Sequence, residues 1–199
     1  MGNIQLDDTE LWSSSLKGDG DAFGLLFDRH HDRIFRHAYR LIPVRHDAED
    51  VVATAFLELW RRREKVRLVE GSILPWLLVT TTNVARNTRR AAFRYRKLLN
   101  SLPRSDDARD PLDEVFSRHP LDSVDHDLAA AVRGLGAIDR QLVSLVILEG
   151  YTISTAATVL GLTSSAAKTR MFRVRERLRV ALGRPIKIAA NEMPNGVQP

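Results

Sequence analysis

At 199 residues, 44% of them hydrophobic, the chain is long enough to bury the core of one domain or of two small ones. It has no cysteine, which excludes disulfides and Cys-ligated zinc or iron-sulfur sites and permits a reducing compartment. The N-terminus MGNIQLDDTELW lacks a basic start followed by an apolar run, and no stretch approaches the roughly 18 apolar residues that span a bilayer, so no membrane insertion and a cytoplasmic location are expected. The net charge of +5 is unevenly spread: residues 1–100 carry +4, residues 101–127 carry −5 and residues 128–199 carry +6. Two basic modules flanking an acidic connector point to a polyanionic partner such as nucleic acid.

In chain order, apolar residues first recur at helical spacing from Phe23 through Leu26, Phe27, His30, Ile34, Phe35, Ala38 and Tyr39 to Ile42, and Pro43 closes that helix. A second helix starts at about His46 with Val51, Val52, Ala55, Phe56, Leu59 and Trp60 as its apolar face. The third runs over 74–99, with Pro75 in its first turn, where a missing N–H costs little. Trp76 is assigned to its core side with Leu77 and Val79. The end of this helix interleaves Arg86, Arg89, Arg90, Arg94, Arg96 and Lys97 with Phe93 and Tyr95, a mixture that suits melted nucleic acid because rings stack on bases while arginines neutralise phosphates.

The connector 101–127 holds Pro103, Pro111, Pro120 and eight acids without a sustained apolar period; it reads as an extended linker with at most a helical turn around 112–116. Beyond it, short helical patterns over 152–160 and 164–182 are separated by Gly161-Leu162-Thr163. Ile153, Ala156, Ala157 and Leu160 pack the first, Thr163 or Ser164 can cap the second, and the second carries Lys168, Arg170, Arg173, Arg175, Arg177 and Arg179: the pattern of a helix-turn-helix. The fold class is therefore all-α, two helical domains joined by an extended acidic linker, the C-terminal one a helix-turn-helix. The domain limits are 1–100, 101–127 for the linker, 128–183 and a tail 184–199 that is either a docking peptide or unstructured.

The succession DAFGLLFDRHHDRIFRHAYRL, DAEDVVATAFLELWRRR, GSILPWLLVTTTNVARNTRR, a linker, and SSAAKTRMFRVRERLRVAL resembles the extracytoplasmic-function group of bacterial sigma-70-type sigma factors. A helix-turn-helix alone is weakly specific; the joint order of these segments is strong. The resemblance implies that 1–100 is a region 2 domain that docks on the β′ clamp helices of RNA polymerase core and opens the minus-ten element. It implies that 128–183 is a region 4 domain that holds the minus-thirty-five duplex and the β flap, with the linker threading toward the active-site cleft. It implies no cofactor and no metal, and members of the group often have an anti-sigma protein.

Residue by residue, the resemblance puts core docking on Asp47, Glu49 and Asp50, which with Val51, Val52 and Leu57 offer a charged and apolar helix face; their plainer role is that of acids in a first helical turn, which the macrodipole favours. Where relatives usually carry Gln and an acid after the DAED run, this chain has Ala53 and Thr54, which removes hydrogen-bonding groups from the expected contact. Minus-ten DNA falls to Asn83, Arg86, Asn87 and Arg90, Asn83 sitting where relatives read an extruded base with an amide that both donates and accepts. The loop 67–72 matches the family's base-capturing loop in position. On the second helix of the helix-turn-helix, Ser164, Ser165, Lys168 and Thr169 are expected at base edges, while Arg170, Arg173 and Arg177 are expected on phosphates. Thr155 stands where relatives commonly have an acid.

Catalysis is not expected. His30 and His31 lack a second ligand one turn away, since His37 is displaced from their face, and no His-Glu-x-x-His, Walker or Gly-x-Ser-x-Gly pattern occurs. Adjacent carboxylates at Asp47, Glu49 and Asp50 diverge on a helix. The competing non-enzymatic reading is a free-standing helix-turn-helix regulator, which needs a ligand pocket, receiver or dimer seam in the first module.

Overall fold

The computed structural model describes residues 6–100, 131–132 and 134–182, which fall into two compact units, Met1–Val124 and Asp125–Pro199. The expected linker 101–127 with its turn at 112–116, and the tail 184–199, lie outside the described residues. Among the described residues all regular structure is helical; the one β-like feature is an isolated pairing of Val69 with Ser72.

The first unit holds α1 (Asp8–Leu16), α2 (Gly20–Leu41), α3 (Arg45–Arg62), a short 3-10 turn (Arg63–Lys65) and α4 (Leu74–Asn100). Helix α1 is an addition to the expected set. Its start is a capping box: the Glu10 amide donates to Asp7 Oδ1 at 2.8 Å and the Asp7 amide to Glu10 Oε2 at 3.1 Å. The Asp-x-x-Glu spacing that makes the box was in the sequence, but the segment has only one apolar pair on its inner face, Leu11 and Trp12, too little to register as a period. Asp19 accepts from the Asp21 and Ala22 amides, so α2 begins at Gly20 rather than at Phe23, and it ends before Pro43 as expected. Leu26, Ile34, Ala38, Val51, Val52, Leu59, Leu77 and Leu78 form a core in which α2, α3 and α4 pack on one another. Truncating a residue such as the fully buried Leu26 would cost about 2–5 kcal/mol.

Two core assignments change. Trp76 is half-buried, not core; on α4 the inward positions are Leu77, Leu78, Thr81 and Ala85, and Trp76 lies on the opposite side of the helix. Val51 and Val52, read both into the apolar face of α3 and onto its partner-facing side, are 1% and 2% exposed and belong to the unit's own core alone.

The second unit holds α5 (Ala137–Val143), which widens into a π-type turn (Ser144–Leu148), then α6 (Ile153–Leu160) and α7 (Ser164–Leu182). The π-type turn closes with the Glu149 amide donating to the Ser144 carbonyl. Thr152 caps α6 through the Thr155 amide, and Gly161, at φ +65°, ends it in the left-handed region that costs glycine nothing. The Leu162 amide donates to the Ala157 carbonyl and the Gly161 amide to the Thr158 carbonyl, a Schellman arrangement that turns the chain toward α7. Thr163 caps α7 through the Ala166 amide. Small residues make the α6–α7 crossing close: Ala156, Ala157 and Ala167 are buried there, and Met171, Val174 and Leu178 continue the buried stripe of α7 over Leu135 and Leu142.

Candidate nucleic-acid interface

On α4 the core positions Leu77, Leu78, Thr81 and Ala85 leave the other side to Trp76, Asn83, Asn87, Arg90 and Arg94, spaced seven, four, three and four residues apart and hence on one line. Asn83, Asn87, Arg90 and Arg94 are exposed; Trp76 and Arg86 are half-buried, Arg86 on the flank of the line. Three of the four expected minus-ten residues therefore share a stripe, and sequence reasoning missed the tryptophan at its head. The signal was available: Trp76 is seven residues before Asn83, two helical turns. Beyond the line, Phe93, Tyr95 and Leu98 are 60–65% exposed around the basic end of the helix.

The loop 67–72 leads directly into the first turn of this helix. It is a tight turn: the Val69 and Ser72 backbones exchange two hydrogen bonds of 3.1 Å, and the residues between them, Glu70 and Gly71, both have positive φ, +54° and +72°. Gly71 adopts this freely, whereas Glu70 is strained by it. The turn is anchored from below by Asp8, a carboxylate 7% exposed, through Ser72. Arg29 donates to Asp8 Oδ1 at 2.8 Å and His30 Nε2 lies 2.7 Å from Oδ2. Burial by itself would push the Asp8 carboxyl up; the bonds from Ser72 and Arg29 and the neighbouring His30 outweigh it and hold the group below its ordinary value of 3.8. Burial pushes His30 below its ordinary 6.5 despite Asp8 beside it, so at neutral pH it is the uncharged ring whose Nε2–H donates to the carboxylate. His30 is thus a core residue, and His37 is likewise buried, against the Thr82 hydroxyl at 3.0 Å.

The outward side of α3 presents Arg45, His46, Glu49, Asp50, Ala53, Thr54 and Leu57, all exposed, with Leu57 46% exposed at its C-terminal end. Glu49 accepts from Arg45 at 2.8 Å and Asp50 lies 3.8 Å from His46, both pairs within the helix and solvated. Asp47 is half-buried and turned toward the edge of this side. Of the apolar residues expected on this side, Leu57 remains, with Ala53 beside it.

On α7, the buried stripe Ala167, Met171, Val174 and Leu178 orients the opposite side outward, and Ser164, Ser165, Lys168, Thr169, Phe172 and Arg173 are all exposed there. Phe172 is 69% exposed in the middle of this surface, a residue to which the sequence alone assigned no role. Arg170 is turned away: its guanidinium donates to Asp139 of α5 at 3.0 Å, and Arg177 donates to the Gly134 carbonyl at 3.2 Å. Of the arginines expected on phosphates, Arg173 alone is not engaged in such a brace. Thr155, where an acid is common, is buried and its hydroxyl meets that of Thr152 at 2.8 Å.

Residues 26–95 match the family described as Sigma-70 region 2, and residues 125–178 the family described as Sigma-70, region 4. The ECF RNA polymerase sigma factor BldN of Streptomyces coelicolor is 29% identical over 167 residues, which are 82% of this chain and 61% of BldN. The RNA polymerase sigma factor CarQ of Myxococcus xanthus is 30% identical over 174 residues, 83% of this chain and 92% of CarQ. The chain belongs to the sigma-70 family of sigma factors, in its extracytoplasmic-function group. This sigma factor spans about three fifths of the length of BldN. Its all-helical fold is shared with CnrH, solved in complex with the cytosolic domain of CnrY: 24% identity, 88% of this chain and 97% of that one, TM-score 0.55. Among the described residues, no helix of the sigma factor is long and apolar enough to cross a membrane.

Proposed function

We propose that this sigma factor acts in the cytoplasm as the promoter-specificity subunit of RNA polymerase, binding rather than catalysing. The observation that carries the reading is the line Trp76–Asn83–Asn87–Arg90–Arg94 on the solvent side of a core helix, in a chain whose other unit is a helix-turn-helix with Ser164, Ser165, Lys168, Thr169, Phe172 and Arg173 exposed on its second helix. In this reading α7 enters the major groove of the minus-thirty-five duplex, with Ser164, Ser165, Lys168, Thr169 and Phe172 toward base edges and Arg173 on phosphate; Phe172 is suited to a thymine methyl. The outward side of α3, with Glu49, Asp50 and Leu57, docks on the β′ clamp helices, and the second unit also meets the β flap. The segment 101–127 serves as the linker toward the active-site cleft.

Melting is driven by differential binding. Unpaired minus-ten bases gain an amide partner at Asn83 and, two helical turns away and for a different base, a ring at Trp76, contacts the stacked duplex cannot make. Stacking on an aromatic ring is worth about 1–3 kcal/mol per base, enough to offset unpairing at one or two positions. Asn87, Arg86 and Arg90 then hold the strand's phosphates and neighbouring edges. An anti-sigma protein is a further partner in this reading.

The test is open-complex yield with purified core enzyme, followed by permanganate footprinting on promoters varied one base at a time. Asn83→Ala is expected to flatten discrimination at a single minus-ten position by about 1–3 kcal/mol while leaving duplex binding unchanged. Unaltered preference at every position would remove Asn83 from base reading.

A further inference from the structure

The turn that precedes α4 is held by a part of the chain 64 residues away. Ser72 Oγ donates to Asp8 Oδ2 at 2.6 Å and accepts from the Leu74 amide at 3.1 Å; the Ile73 amide also points at Asp8 Oδ2, at 3.4 Å. The Thr9 hydroxyl donates to the Gly71 carbonyl at 3.5 Å. One end of α1 therefore grips both the base of the turn and the Ile73 amide just before α4, while Arg29 and His30 of α2 also bond the same carboxylate.

The physics of this cluster couples its parts. A carboxylate 7% exposed is tolerated only when its oxygens are fully hydrogen-bonded, and Oδ2 takes its donors from the turn as well as from α2. Releasing the turn leaves Oδ2 with His30 as its remaining side-chain donor and Oδ1 with Arg29. Conversely, a turn with Glu70 in the left-handed region persists only where its surroundings over-determine it, and Asp8 restrains its base through Ser72. The turn delivers the chain into the helical turn that carries Trp76, the head of the exposed α4 line.

We propose that Asp8 is a positioning residue for minus-ten recognition: through Ser72 it seats the 67–72 turn at the head of the α4 line, so that base selectivity there depends on a carboxylate that never touches DNA. The proposal rests on the function read above. It differs from a purely stabilising role in what it predicts for selectivity, and from the function itself in having a consequence that needs no polymerase.

Two full-length variants separate the possibilities. Asp8→Asn removes the charge at constant shape; Ser72→Ala removes the shortest link to the turn, leaving the longer Ile73 and Thr9 contacts and Arg29 and His30 on Asp8. Both are expected to speed hydrogen exchange at the Ser72 and Ile73 amides by about tenfold or more, with amides in the middle of α2 unaffected in Ser72→Ala. With core enzyme on the single-base promoter series, both are expected to narrow the spread of open-complex yields at one minus-ten position by about fivefold, at unchanged duplex affinity. If Ser72→Ala exchanges like wild type, or keeps the wild-type spread at every position, the positioning role is overturned; this holds even if Asp8→Asn fails to fold. If the wild type forms no open complex on any promoter, the promoter function fails instead, and the exchange result still decides whether Asp8 seats the turn.

Discussion

Lys168 and Arg173 stand on the outward side of α7, whereas Arg170 on the same helix is braced by Asp139 at 3.0 Å, with side-chain exposures of 42% and 25% for the pair. If α7 lies in the major groove, these two bring their charge against the DNA, Arg173 on a phosphate and Lys168 at a base edge, and each displaces counterions. Each neutralised phosphate contributes about 0.9 to the slope of log affinity against log salt, so Lys168→Ala with Arg173→Ala should lower that slope by about 1.8. Between about 50 and 200 mM salt, the ratio of wild-type to variant affinity should then shrink about twelvefold. Arg170→Ala should behave differently. It leaves the slope within about 0.5 of wild type and instead loosens the α5–α7 packing, at a cost near 0.5–1 kcal/mol for a partly exposed pair. The assay is fluorescence anisotropy of a labelled duplex titrated with full-length protein across a salt series, with thermal unfolding alongside. A slope loss for Arg170→Ala as large as that for Arg173→Ala would mean that the Asp139 brace opens on DNA, and would refute the division of roles drawn from the structure.

Reversing Glu49 and Asp50 to lysine should weaken association with polymerase core by about 2 kcal/mol or more. It should leave helicity unchanged, because both acids are exposed and paired only with solvated neighbours on their own helix; an unaltered core-binding titration would take this side of α3 out of the interface. His30 predicts the acid response of the first unit. Its folded-state value lies below 6.5, so below that pH the unfolded chain takes up a proton the folded chain resists, and stability falls as pH drops from 6.5 toward the folded value. Asp8, also lowered, holds its contribution until pH falls to 3.8 and below. Denaturant titrations across pH should therefore show an upper limb that His30→Asn abolishes; an upper limb retained in that variant would assign it elsewhere.

Helices α2, α3, α4 and α7 were legible because each buries a stripe of large apolar residues at helical spacing, and α6 because small apolar residues recur between two clear ends; the ends follow local chemistry: Pro43 after α2, Gly161 and Thr163 between α6 and α7. Helix α1 was not, because a nine-residue helix with a narrow inner face carries its signal in its cap rather than its period. The site was legible as residue types and only partly as faces. Periodicity tells that Trp76 and Val51 are near an apolar stripe, but which edge of the stripe turns inward depends on the neighbouring helices; Trp76 went outward and Val51 inward. The Asp8–Ser72 link joins positions 64 residues apart, a separation over which no pattern in one sequence speaks. Arg170 shows the same limit on a single helix: its charge was visible, its partner Asp139 on α5 was not.

The most direct test of promoter-specificity function is run-off transcription with purified polymerase core and the full-length protein on a library of genomic fragments. Transcripts should start at defined points, with a shared minus-thirty-five and minus-ten pair upstream, and should vanish without the protein or with Glu49 and Asp50 reversed to lysine. Duplex binding with no gain in specific initiation over core alone would contradict it, and would leave a free-standing helix-turn-helix regulator in its place.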